Sequence, residues 1–124
     1  MTRNRNLAII RKLQALEGRR AQLIERLSAN EPLLVGSLSR VRRTCGKPTC
    51  HCTVAPAHEA WVLATNRDSR RRCQVVRLAD VQEVRERVAN YKSFRKVLRE
   101  LEAIDRDEKA LLRGLMETRN MPYD

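Results

Sequence analysis

Apolar residues in the first quarter of the chain recur in steps of four and three. Ile9, Leu13, Leu16, Leu23 and Leu27 keep that rhythm, and Arg20 stands where the next apolar residue is due. Three heptads of such spacing predict an amphipathic helix over 7–29 that packs on another helix. Ile10 and Ile24 widen the apolar stripe. Asn6 has the side chain of an N-cap. Asn30 and Pro32 end the helix, because the residue before a proline resists helical geometry. Gly18 is a weak point inside it.

The period then changes. Leu33, Leu34, Val35, Leu38 and Val41, interleaved with Gly36, serines and arginines, predict extended backbone over 33–44. Glycine, two prolines and a cysteine cluster make 45–60 a loop. Trp61–Thr65 and Cys73–Leu78 predict two strands of a hairpin, joined by the polar, turn-forming stretch Asn66–Arg72. A second helix starts at Asp80, where Asp80 and Glu83 have capping-box spacing. Val84, Val88, Tyr91, Leu98, Leu101, Leu112 and Leu115 carry its seam to about residue 118, flanked by Phe94 and Ile104. Asp105 and Glu108 interrupt that seam and predict a kink or an end there.

The expected fold is mostly α with a small β component, in one domain over 1–124. Two long antiparallel, coiled-coil-like helices, 7–29 and 80–118, bracket a basic insert, 33–79, made of a zinc-binding loop and a β-hairpin. At about 1.5 Å per residue the second helix outruns the first by about fifteen residues. Leu111, Leu112 and Leu115 on that overhang then need cover, from a homodimer partner or from chain folding back.

Composition limits the core. One third of the residues are charged, and the aromatics are Trp61, Tyr91, Phe94 and Tyr123 alone. A chain so poor in large apolar groups gains from metal binding or self-association. Met1–Gln14 lacks the uninterrupted apolar stretch of a signal peptide, and no apolar run approaches the roughly 20 residues of a membrane span. A cytoplasmic location follows as the expectation, where thiols stay reduced and disulfides are rare.

The net charge of +11 is unevenly spread along the sequence. Residues 1–79 carry 16 Lys/Arg against 5 Asp/Glu, whereas 80–124 carry 10 of each. Arg40, Arg42, Arg43, Lys47, Arg67, Arg70, Arg71, Arg72 and Arg77 all fall in the insert. Gathered around one module, they would neutralise phosphates and release counterions, and arginine forks onto phosphate oxygens and guanine edges. The plainer reading of a charge run is a solvated surface. Only Trp61 lies near the patch, so a multi-base stacking platform for single strands is not expected. A duplex or a structured RNA fits better, with DNA preferred to RNA.

Within that insert, Cys45, Cys50, Cys52 and His58 stand inside fourteen residues, CGKPTCHCTVAPAH. Zinc takes four thiolate or imidazole ligands in a tetrahedron. Three cysteines on a short loop with Gly46 and Pro48 supply three of them; His58 or Cys73 completes the set. His51 would strain three consecutive ligands. Buried structural thiols are the plainer alternative. Four protein ligands make a structural rather than a catalytic site, since no open position is left for substrate.

GSLSRVRRTCGKPTCHC (Gly36–Cys52), His58-Glu-Ala-Trp61 and VQEVRERVANYKSFRKVL (Val81–Leu98) resemble an uncharacterised family of small bacterial and archaeal proteins. That family is a domain of unknown function, often linked to transposases and other mobile elements. The resemblance covers about half the chain. It implies that Cys45, Cys50, Cys52 and His58 form one site, which favours His58 over Cys73. The chain departs from the family pattern in the apolar TVAPA between Cys52 and His58. It departs again in Asn66–Arg72, where a glycine-rich turn is the family's habit.

No P-loop or acidic metal cluster stands out, and the chain has four glycines. The thiols are better used on metal than as nucleophiles, so an enzyme is not expected. The expected function is a non-enzymatic, zinc-stabilised nucleic-acid-binding accessory protein serving a transposase or recombinase. The alternatives are a helical protein-interaction adaptor that binds no nucleic acid, and a metal or redox sensor.

Overall fold

The structure, a computed structural model, describes residues 2–43, 46–49 and 58–123. The elements are helix α1 (Thr2–Leu27), strands β1 (Ser37–Arg43), β2 (His58–Arg67) and β3 (Arg70–Val76), a 3-10 turn (Leu78–Asp80) and helix α2 (Val81–Arg119). The protein is mostly helical with one small sheet. Two compact units result, one of 1–30 with 94–124 and one of 31–93.

In the first unit, α1 begins at Thr2, five residues before the expected start, so Asn6 lies inside the helix rather than capping it. Its partly or fully buried positions include Asn6, Ile9, Leu13, Leu16, Arg20, Leu23 and Leu27, in unbroken three/four alternation. The matching row on α2 is Val97, Leu101, Ile104, Glu108, Leu111, Leu115 and Thr118. This corrects the expected seam. Leu98 and Leu112 point outward at 42% and 52% exposure, whereas Val97 and Ile104 are buried. Leu23 is fully enclosed, with Val97 and Ile104 in its cluster and Leu16, Leu27 and Leu101 packed on it.

Contacts between α1 and α2 run in reverse order. The Thr118 hydroxyl is hydrogen-bonded to the Asn6 side chain, and Ile9 Cδ1 stands 3.6 Å from where a Cβ on Gly114 would be. Arg19 pairs with Glu100 at 2.9 Å. Arg20 pairs with Asp105, and with Glu108 at 3.0 Å. The two acids therefore do not end α2, which is continuous to Arg119. They meet the one cation in the opposite seam. The hydrogen bond to Asp105, with the one to Glu108, raises the Arg20 pKa above its ordinary value, against partial desolvation. The early start of α1 also covers the C-terminal end of α2, where the overhang was expected, because Asn6 reaches its last turn.

In the second unit the sheet has order β1-β2-β3, antiparallel throughout. β1 pairs with β2 from Ser37↔Ala64 to Arg43↔His58, and β2 with β3 from Trp61↔Val76 to Arg67↔Arg70. The turn is Asp68–Ser69 alone, both at positive φ (52° and 64°). That is the pattern of a two-residue type I′ hairpin. Five of the seven residues expected in the turn are strand residues instead. Gly36 enters β1 where a Cβ would stand 2.8 Å from the Ala64 carbonyl oxygen, so the backbones approach too closely for a side chain. The connection before β1 is tied to α2 by Leu34 N–H donating to Arg87 O at 3.0 Å and Asn90 Nδ2 donating to Pro32 O at 2.9 Å. The Glu83 carboxylate is engaged by Arg87 one turn on. Among the described residues no helix is long and apolar enough to cross a membrane.

Candidate functional site

Directly opposed residues in a sheet share a face. One face of this sheet carries Leu38, Arg40 and Arg42 from β1, and Glu59, Trp61, Leu63, Thr65 and Arg67 from β2. β3 adds Arg70, Arg72, Gln74 and Val76. α2 meets this face: the Arg85 guanidinium lies 4.8 Å from the centroid of Trp61, and Arg40 lies 5.8 Å from it. Among the described residues of the unit, Leu63 and, on α2, Val88 are buried. The second face carries Ser37, Ser39, Val41, Ala60, Val62, Ala64, Asn66, Arg71, Cys73 and Val75, with His58 and Arg43 level at one end. Val41 and Val75 on it are exposed. Among the described strand residues none on this face is acidic.

The nine candidate cations fall into distinct settings. Arg40 and Arg42 share Glu59, Arg42 Nε at 3.4 Å, and both remain mostly exposed. Glu59 is thus an acid inside the expected patch. Sequence reasoning passed over it, although its place beside His58 in a strand was readable. Arg85 was missed as well, since helix spacing alone does not say which residue lies over a distant tryptophan. Trp61 is half-buried beneath two guanidinium groups, in the cation–π geometry worth about 0.5–2 kcal/mol. Arg77 and Lys47 are exposed outside the strands. Arg43 sits at the register position opposite His58.

Arg67, Arg70, Arg71 and Arg72 are brought together. With Asp68 they line an open depression at the hairpin end. β1 stops pairing at Ala64, so 65–67 and 70–72 pair only with each other. The result is a two-stranded ribbon of three rungs: Thr65↔Arg72, Asn66↔Arg71 and Arg67↔Arg70. Arg67 faces Arg70 directly, a like-charge placement that is unfavourable for the hairpin.

Of the expected zinc ligands, Cys45, Cys50 and Cys52 lie outside the described residues, as does His51. His58 is the exposed first residue of β2. Gly46, at φ 81°, takes a backbone conformation that its neighbours in the CGKP motif would resist. Cys73 is exposed and free of any disulfide. It pairs with Ala64, six residues along β2 from His58, a separation of about 20 Å at strand rise. Among the described residues no group of three His, Cys, Asp or Glu is placed to hold a metal.

No family model, curated protein or solved structure matches the chain.

Proposed function

We propose that the protein is a non-enzymatic nucleic-acid-binding accessory protein whose basic sheet is braced by a structural zinc. One observation carries the reading: four arginines meet one acid, Asp68, on a projecting two-stranded ribbon. Such a surface is self-repulsive when bare and is relieved by a polyanion. The mobile-element resemblance of the Gly36–Cys52 motif supports a transposase or recombinase as the enzyme it serves.

The zinc would be held by Cys45, Cys50, Cys52 and His58, and its chemistry is that of a staple closing the loop between β1 and β2. Strand register supports His58 as the fourth ligand. Arg43 and His58 are directly opposed, and Cys45 follows Arg43 by two residues, within about 7.6 Å between Cα atoms. Cys73 stands about 20 Å further along the sheet. That distance favours His58 over Cys73 in the proposed site.

A homodimer through the helices, or an adaptor role for them, draws support from Leu7, Ile24, Leu112 and Met116. All four are half or more exposed on α1 and α2.

The test is fluorescence anisotropy of a labelled duplex against the full chain across a salt series, with metal quantified in the same preparation. Binding that falls steeply with salt, with one zinc per chain, supports the proposal. Salt-independent or absent binding to every nucleic acid would sink it in favour of the adaptor.

A further inference from the structure

We infer that the ribbon 65–72 is a reading head that enters the major groove of duplex DNA; the inference rests on the nucleic-acid function proposed above. Three features carry it. The first is size. Three rungs and a two-residue turn project about 10 Å beyond the end of β1. The major groove is about 8.5 Å deep and 12 Å wide, and it admits a two-stranded ribbon; the minor groove, about 6 Å wide, does not. The major groove of A-form RNA is too deep and narrow for side chains to read.

The second feature is the division of residue types between the ribbon's faces. Arg67, Arg70 and Arg72 share one face with Thr65, while Asn66 and Arg71 oppose each other on the other. Asparagine is among the side chains that bind adenine edges bidentately, and arginine among those that bind guanine edges so. Their Cβ atoms, as opposed partners, stand about 5 Å apart, between one and two base-pair steps of about 3.4 Å. The face with three arginines then meets phosphates, which position the ribbon without reading sequence.

The third feature is preorganisation. The tip is closed by the shortest hairpin turn, Asp68–Ser69, and contains no glycine. Little chain entropy is left to lose on binding.

The experiment compares a random-sequence DNA duplex, the corresponding RNA duplex and single-stranded DNA as ligands of the full chain. The competitors are methyl green for the major groove and netropsin for the minor groove. The DNA duplex is expected to bind at least tenfold more tightly than the other two, and methyl green alone is expected to compete. Arg67→Ala/Arg70→Ala is expected to weaken all duplexes about tenfold and to reduce the log–log salt slope by about 2. Arg71→Ala is expected to flatten base preference in a selected pool. Removing the opposed pair relieves repulsion, so an unchanged or raised thermal midpoint shows that lost binding is not lost folding. Salt-dependent binding that the ribbon variants leave intact, or equal affinity for RNA and DNA duplexes, would overturn the groove assignment while leaving nucleic-acid binding standing. No binding to any of the three ligands would remove both.

Discussion

Ser69 shows how a single residue holds the ribbon in tension. Both turn residues occupy the left-handed region, where aspartate is tolerated but serine is held against its preference, at about 1 kcal/mol or more. Ser69→Gly should therefore raise stability by about 1 kcal/mol, read from the urea midpoint, and leave the arginines in place. No gain would mean that the turn is not as tight as its dihedral angles imply. Gly36 is the opposite case. Its missing Cβ lets the backbone lie against the Ala64 carbonyl, so Gly36→Ala should cost about 1–3 kcal/mol through forced displacement of β1. A circular dichroism melt equal to that of the parent protein would refute it.

Among the elements, both long helices were legible because two heptad rows leave a strong period in sequence. The exact α2 seam was not. Leu98 and Leu112 have the right chemistry at nearly the right spacing, and only the partner helix decides whether Val97 or Leu98 turns inward. Asp105 and Glu108 looked like an interruption for the same reason: their meaning depends on Arg20, 85 and 88 residues away. The ribbon was misread as a long turn because arginine-rich strands have no buried face to create a period. β1 was read as extended, but its partner lay across the loop and was invisible to local pattern. Of the candidate site, the arginines of 67–72 were each visible in the sequence, but their gathering on a two-stranded ribbon was not. Glu59 and Arg85 entered only with cross-strand register and helix packing.

Polar seam residues fix register at a cost in stability. Arg20→Leu alone should lower the urea midpoint, since Glu108 loses its partner at a part-buried position. Arg20→Leu/Glu108→Leu should recover it while permitting alternative pairings, seen as added oligomers in light scattering. A double variant with the parent's mass distribution would show that the register is set elsewhere, with Asn6 and Thr118 the next pair to change.

For the whole molecule, the uneven charge along the sequence does not survive folding. The unit 31–93 carries 12 Lys/Arg and 6 Asp/Glu, and the other unit carries 14 and 9. The two net charges are nearly equal, at +6 and +5. The case for a polyanionic partner thus rests on local concentration at the ribbon rather than on a basic half-chain. Metal dependence also belongs at this scale. If the proposed zinc is present, chelation should weaken nucleic-acid binding without unfolding α1 and its partner segment. Far-ultraviolet circular dichroism before and after chelation checks this, with most of the helical signal expected to remain.

Cys73 offers a practical route into both questions. It is exposed, and its rung with Ala64 adjoins the first rung of the ribbon, Thr65↔Arg72. If the other three cysteines are committed to metal, a maleimide dye should modify one thiol per native chain and four after chelation, countable by mass. The singly labelled protein would then carry its fluorophore at the root of the ribbon, where a duplex arriving at the tip changes the dye's surroundings.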